Sequence, residues 1–242
     1  MNYYFITGTS KGLGKAIAEE LLRKENNTVV GIARTNSLTH PHYNHHSIDL
    51  GDIDTLKRAI PSLFTDLADA TAIVLINNAG LLGQVGRIGE ISSESIEEVV
   101  RVNVTAPAIL VNEFISRYRT YSCTKVIINV SSGAGKRPID GWGAYCTSKA
   151  ALDMLSMVAA QEEQLRKNNF RIFSVAPGIV DTTMQEQIRG ADVKDFSRLQ
   201  EFKDYKSKGM LARAEDVARK YIALAENAGK YNETVMSVKD IV

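Results

Sequence analysis

Short apolar runs alternate with longer stretches of helical periodicity along the whole chain. The runs are Tyr3–Thr7, Thr28–Ala33, Ala72–Ile76, Lys125–Val130 and Phe170–Ala176, with a weaker one near Thr234–Val238. Their apolar character is nearly continuous, which predicts strands buried on both faces, as in a parallel sheet. Between them, helical patterns cover Gly12–Lys24, Asp54–Leu67, Ser92–Tyr118, Ala144–Lys167 and Glu215–Asn227. This alternation predicts a doubly wound α/β fold with helices on both faces of the sheet. No linker or internal repeat divides the chain, so one domain is expected over residues 1–242. The stretch Thr183–Leu211 is polar, charged and of helical pattern. It follows a strand, so it is expected to lie above the strand ends as a lid.

Composition narrows the possible partners. Of 242 residues, 44% are hydrophobic, and the formal net charge is +1. That balance argues against nucleic acid or an anionic membrane as the main partner, since both reward a basic excess. No apolar run of about 20 residues suggests a membrane span, and the start of the chain lacks the basic and apolar regions of a signal peptide. The two cysteines, Cys123 and Cys146, are too few for a disulfide framework and are expected to be free thiols in a reducing cytoplasm. All four histidines, His40, His42, His45 and His46, are read as part of a polar loop leading into a short strand around Ser47–Ile48. No metal site is expected from them.

The first candidate chemistry follows the first strand. Thr7-Gly8-Thr9-Ser10-Lys11-Gly12-Leu13-Gly14 places three glycines between a strand and a helix, where the backbone can turn tightly against a ligand. The helix then offers free N–H groups and its positive dipole end to an anion. This is the setting of the Rossmann dinucleotide fingerprint. Where an NAD-preferring site would carry an acid, this chain has Arg34, and no Asp or Glu occurs between Glu25 and Asp49. Arg34, with Lys11 in the turn, suits a 2′-phosphate and predicts NADPH.

Tyr145 and Lys149 fall four apart, on one face of a helix. A lysine charge about 4 Å from a phenol, at an effective dielectric near 20, is worth roughly 4 kcal/mol, or about 3 pKa units. Such a charge would bring Tyr145 towards neutrality, where acid–base work is efficient.

Together these segments resemble the short-chain dehydrogenase/reductase family from end to end. The carrying elements are the Thr7–Gly14 turn, Asn77-Asn78-Ala79-Gly80, Asn103, Ser131-Ser132, Tyr145 with Lys149, and Pro177-Gly178-Ile179-Val180-Asp181-Thr182. The resemblance implies a catalytic set of Asn103, Ser132, Tyr145 and Lys149. Ser132 and Tyr145 hold the substrate carbonyl, Tyr145 gives the proton, Lys149 binds the nicotinamide ribose, and Asn103 anchors a relay water. It further implies cofactor contacts from Ile6, Gly8, Ser10, Lys11, Gly12, Leu13 and Gly14 in and before the turn. Arg34 and Asp49 follow, with Asp49 on the adenine. Asn78 would meet the adenosine ribose region, and Val180 and Thr182 the nicotinamide amide; Ala79, Gly80, Tyr145, Pro177 and Gly178 would also contact the cofactor. Independently, Pro107 lacks the N–H that the Asn103 carbonyl would use in a regular helix, which predicts a kink and a freed carbonyl. Cys146 adjoins Tyr145 but points about 100° away, and is read as packing.

Within the family, the chain resembles the branch of sepiapterin reductases and bacterial benzil reductases. The segments are Ser131–Pro138, Gly141–Cys146 and Pro177–Gln185. That likeness implies NADPH-dependent reduction of one keto group of a 1,2-diketone such as benzil to an (S)-hydroxyketone. Leu81, Leu82, Trp142, Met184 and Ile188 would furnish an apolar pocket. Sepiapterin reductases anchor the pterin through a C-terminal aspartate, for which Asp240 alone could serve here. The alternatives are another ketone reductase of the same fold and a dinucleotide-sensing protein without catalysis. Pairing into a homodimer or homotetramer, through the helices Ser92–Tyr118 and Ala144–Lys167, is the family expectation.

Overall fold

The computed structural model describes residues 1–242. Seven strands form one parallel sheet in the order β3-β2-β1-β4-β5-β6-β7. They are β1 (Asn2–Thr7), β2 (Asn27–Ala33), β3 (Tyr43–Ser47), β4 (Ala72–Asn77), β5 (Thr124–Val130), β6 (Phe170–Ala176) and β7 (Val235–Ser237). The helices are α1 (Gly12–Leu22), α2 (Ile53–Leu63), α3 (Ser93–Val100), α4 (Ala106–Tyr118), α5 (Gly143–Leu165), α6 (Thr183–Arg189), α7 (Leu199–Ser207) and α8 (Ala214–Glu226).

Both faces of the sheet are covered, as the unbroken apolar runs require. On β1, Tyr4 and Ile6 point into one core with α1 and α8, while Phe5 points into the other with α2 and α4. In that second core Phe5, Phe64, Phe114 and Tyr118 meet largely edge to face, the Phe114–Tyr118 centroids 5.1 Å apart. The chain winds outward from β1 to β3, then returns to β4 on the other side of β1. At this reversal of direction a crevice opens beyond the carboxyl ends of β1 and β4, the usual ligand position in such sheets.

Several element boundaries differ from the sequence expectation, and four of the differences have a visible cause or consequence. The helix expected to Leu67 ends at Leu63, because Phe64 leaves the helix to pack against Phe5 at 5.2 Å. The helix expected to Lys167 ends at Leu165. Lys167 adopts a left-handed conformation (φ 57°), and its N–H and that of Asn168 return to the Gln164 and Glu163 carbonyls, closing the helix in the manner of a Schellman end. The strand expected near Ser47–Ile48 begins at Tyr43, so His45 and His46 belong to β3, paired with Gly31 and Ile32. The long helix Ser92–Tyr118 is interrupted by a π-helical turn at Arg101–Thr105, with the Ala106 N–H bonded to the Arg101 carbonyl. Pro107 follows in the first turn of α4, so the ladder accommodates the missing N–H by widening. Ser93–Tyr118 is long and apolar enough to cross a membrane by length and composition alone. Half of its most apolar window is buried inside the fold, the packing of a core helix.

The stretch after β6 forms α6 and α7, as its helical pattern predicted. A third apolar cluster lies beneath it: Trp142, Tyr145, Ile188, Phe196, Leu199 and Phe202 pack with Leu82 and Ala134.

Candidate active site

A cavity of about 960 Å³ runs from the turn after β1, over the ends of β4 and β5, to the underside of α6 and α7. At one end the glycines leave room for a ligand. Gly8 (φ +76°) and Gly12 (φ +58°) occupy the left-handed region that a side chain strains. At Gly14, a Cβ would stand 2.3 Å from Asn78 Nδ2 and 2.4 Å from the Gly8 carbonyl oxygen. The turn is fixed from behind: the Thr7 hydroxyl accepts from the Asn78 and Ala79 N–H groups, and the Asn78 amide donates to the Thr7 carbonyl, all at 2.9 Å. A backbone cradle at a helix start fits the pyrophosphate of a dinucleotide. Lys11 and Arg34 line the same end; both are exposed, and no carboxylate pairs with either.

The middle of the cavity holds the candidate catalytic groups. Ser132, at the end of β5, accepts from the Ala134 N–H at 3.2 Å, which leaves its own O–H free to donate. Tyr145, in the first turn of α5, is 6% exposed. One turn later, Lys149 donates to the Val130 carbonyl at 2.8 Å. Asn103 Oδ1 accepts from the Leu81 N–H and its Nδ2 donates to the Leu81 carbonyl, both at 2.8 Å, and to Ser148 Oγ at 3.0 Å.

The electrostatics correct one expectation. Burial pushes the Tyr145 phenol up to about 12, against a lowering from the Ser132 hydroxyl beside it. Burial pulls Lys149 down to about 8, while Asp153 raises it. Burial therefore dominates at Tyr145, whose phenol stands above its ordinary value rather than being brought towards neutrality. The Lys149 ammonium stands over the ring, 5.6 Å from the centroid, and is bonded to the Val130 carbonyl. Tyr145 is a fully protonated donor at neutral pH.

Nearly all the predicted residues come together. Gly8, Ser10, Lys11, Gly12, Leu13, Arg34 and Asp49 line the cavity, as do Asn78, Ala79, Gly80, Pro177, Gly178, Val180 and Thr182. Ser132, Tyr145, Lys149, Leu81, Leu82, Trp142, Met184 and Ile188 line it too. Three do not. Ile6 is wholly buried in the core beneath the turn, Gly14 is covered by Asn78 and Gly8, and Asn103 lies behind Leu81 with no exposed surface. Asp240 is also elsewhere: its carboxylate accepts from the Ser237 N–H at 2.7 Å and caps the last turn, while Ser237 and Lys239 reach the cavity. Cys146 packs beside the third cluster, as expected.

Other lining residues were not anticipated, among them Arg137, Gln185, Phe202 and Tyr205. Phe202 and Tyr205 extend an aromatic wall from Trp142, with centroid separations of 5.4 and 5.5 Å along the row. Their spacing with Leu199 on one helical face was a readable signal inside a polar stretch. Arg137 and Gln185 lie within the segments Ser131–Pro138 and Pro177–Gln185 that carry the branch likeness, but no role is read for either.

Known proteins share this arrangement. The family model for short chain dehydrogenases matches residues 2–192. The benzil reductase ((S)-benzoin forming) of Bacillus cereus is 40% identical over 229 residues, covering 90% of this chain and 92% of that protein. Its namesake from Bacillus subtilis is 34% identical over the whole of both chains. A solved short-chain dehydrogenase/reductase from Saccharomyces cerevisiae superposes with a TM-score of 0.86 at 26% identity, over 99% of this chain and 97% of that one. With the strand order, the glycine cradle and the Ser132–Tyr145–Lys149 grouping already in place, these likenesses make the chain a member of the short-chain dehydrogenase family, an oxidoreductase acting between alcohol and carbonyl.

Proposed function

We propose that this enzyme is an NADPH-dependent carbonyl reductase that converts one keto group of a 1,2-diketone such as benzil into an (S)-α-hydroxyketone such as (S)-benzoin. One observation carries the reading. A buried, protonated Tyr145, with Ser132 beside it, opens onto a single cavity that has unpaired cations at one end and an aromatic wall at the other. The names of the two bacillary relatives support the diketone substrate. Lys11 and Arg34 support NADPH, because two cations without carboxylate partners suit a phosphate beside them.

The chain's own groups divide the work. The turn Thr7–Gly14 and Arg34 bind and orient the dinucleotide, and the reduced nicotinamide, when bound, supplies the hydride. The Ser132 hydroxyl donates to the carbonyl oxygen and polarises it. Tyr145 donates its proton to the same oxygen as negative charge develops there. Lys149, cationic below about pH 8, favours loss of that proton by electrostatic attraction and holds the ribose. The Asn103 carbonyl, without a partner N–H from Pro107, receives the water that refills the relay. The aromatic wall and the α6–α7 lid exclude bulk water.

Two free cysteines fit a reducing cytoplasm. The exposed apolar residues Met154, Met157 and Val158 on α5 support pairing of two copies through that helix. A pterin-anchoring role for Asp240 finds no support, since its carboxylate is engaged at Ser237. The test is NADPH oxidation in the presence of benzil, with chiral separation of the product. (S)-benzoin in excess supports the reading. Tight NADPH binding without turnover of any reactive ketone would instead indicate a dinucleotide sensor.

A further inference from the structure

Thr9 stands in the glycine turn between Gly8 and Ser10, yet it does not line the cavity and is only 1% exposed. A buried hydroxyl needs a partner, and the edge strand supplies it: the Thr9 and Tyr43 hydroxyls are hydrogen-bonded at 2.9 Å. Tyr43 opens β3 opposite Val29, so its ring must reach over β2 to arrive at the turn after β1. Gly31 on β2 makes that crossing possible. A Cβ there would lie 2.6 Å from Tyr43 Cζ and 2.7 Å from Thr9 Oγ1, and closer still to the phenolic oxygen. A glycine inside an interior strand sacrifices packing and marks a place where another group passes close by; here that group is the Tyr43 phenol. Two further contacts hold the same corner. Ser37 Oγ, in the loop after β2, donates to the Thr9 carbonyl at 3.4 Å, and His45 Nδ1 on β3 stands 3.4 Å from the Tyr43 hydroxyl.

We propose that Tyr43 is a positioning residue for the dinucleotide: through Thr9 it fixes the β2 flank of the glycine turn, as Asn78 fixes the β4 flank. The inference rests on the reading of Thr7–Gly14 as the dinucleotide cradle. On the β4 side, the Asn78 and Ala79 N–H groups donate to the Thr7 hydroxyl. Gly8, at φ +76°, lies between that anchor and Thr9. Ser10, Lys11 and Gly12 then pass directly into the cavity wall. A displaced Thr9 therefore displaces the backbone that a phosphate would meet. It leaves Ser132, Tyr145 and Lys149 in place, because they belong to the end of β5 and to α5. A turn left mobile must be ordered when the ligand binds, which lowers affinity without altering the chemistry.

The test is Tyr43→Phe, which keeps the ring and removes the oxygen. By fluorescence titration, its Kd for NADPH is expected to rise about 3- to 10-fold, the worth of one neutral hydrogen bond. At saturating NADPH its kcat stays within about two-fold of native, so the loss falls on binding alone. Thr9→Val removes the other half of the same bond and raises Kd by a similar factor. The double variant goes no further than either single one, because one bond is lost in all three. Amide hydrogen exchange supplies a reading without ligand. The Gly8 N–H, which donates to the Ile32 carbonyl at 2.8 Å, exchanges faster in Tyr43→Phe, while the amides of β4 keep their native rates. An unchanged NADPH affinity in Tyr43→Phe overturns the proposal. So do losses that add in the double variant, or exchange that quickens equally in β4, as a general loss of stability would give. The exchange comparison needs no dinucleotide, so a failure of the cradle reading and a failure of this proposal are told apart.

Discussion

Gly14→Ala sets two effects against each other at a single methyl group. Gly14 lies in the first turn of α1, where alanine is ordinarily the better helix former by about 0.8–1.0 kcal/mol. Here the new Cβ would stand 2.3 Å from Asn78 Nδ2 and 2.4 Å from the Gly8 carbonyl oxygen. The Asn78 amide cannot yield freely, because it donates to the Thr7 carbonyl at 2.9 Å and the Gly8 carbonyl at 3.4 Å. Overpacking of this kind costs about 1–3 kcal/mol, and each disturbed hydrogen bond adds about 1 kcal/mol. Set against the helical gain, the net destabilisation is roughly 2–4 kcal/mol. For a chain of this length each kcal/mol lowers Tm by about 2–4 °C, so a fall of roughly 5–15 °C is expected by calorimetry. Dinucleotide affinity falls with it, because the Gly8 carbonyl belongs to the cradle. Gly229→Ala is the control: a Cβ there meets nothing within 4 Å, and its Tm equals or slightly exceeds the native value. A Gly14→Ala melting point within about 2 °C of native would refute the close approach on which the cradle argument depends.

Four further outcomes follow from the same geometry. Arg34→Asp reverses one charge beside the expected 2′-phosphate, where a unit pair at about 4 Å is worth roughly 1 kcal/mol in water. The ratio of kcat/KM for NADPH over NADH falls about 10- to 100-fold in steady-state assays at low salt. The pH dependence has a definite sign. Lys149 carries its charge below about 8 and loses it above, whereas Tyr145, at about 12, stays protonated throughout. Carbonyl reduction is therefore flat near pH 6–7 and declines above about 8 in a buffered rate profile. Asp140→Ala removes the carboxylate that accepts from Ser197 N at 2.8 Å and Ser197 Oγ at 2.9 Å; faster amide exchange at residues 195–199 and a raised KM are expected, with kcat little changed. Met157→Arg on the exposed face of α5 places a charge in the expected pairing surface and shifts the protein towards monomer in light scattering.

The fold was legible because the central strands β1, β2, β4, β5 and β6 are nearly continuous apolar runs, and strands so paired in parallel have few arrangements; the polar edge strand β3, Tyr-Asn-His-His-Ser, carried no such signal. Boundaries were less so, since they depend on contacts remote in sequence: Phe64 ends α2 by packing on Phe5. Pro107 announced a disturbance near Asn103, but whether the helix would bend or widen depended on its neighbours. At the site, the glycine turn and the Ser132, Tyr145 and Lys149 positions could be read, because the chemistry fixes residue type and spacing together. The direction of the Tyr145 shift could not. Spacing puts Lys149 on the same face, but burial and the Val130 carbonyl decide where its charge acts. The stretch Thr183–Leu211 reads as a lid, but its polar composition masks the apolar face of Leu199, Phe202 and Tyr205, of which Phe202 and Tyr205 line the far wall of the cavity.

The central claim is that Tyr145 delivers the proton to the carbonyl. It is tested most directly by Tyr145→Phe, which removes one oxygen and leaves the ring against Trp142. With benzil as substrate, NADPH oxidation should fall by at least about 100-fold, while NADPH affinity by fluorescence titration stays within a few-fold of native. Turnover close to native in that variant, with the cofactor still bound, would contradict the account.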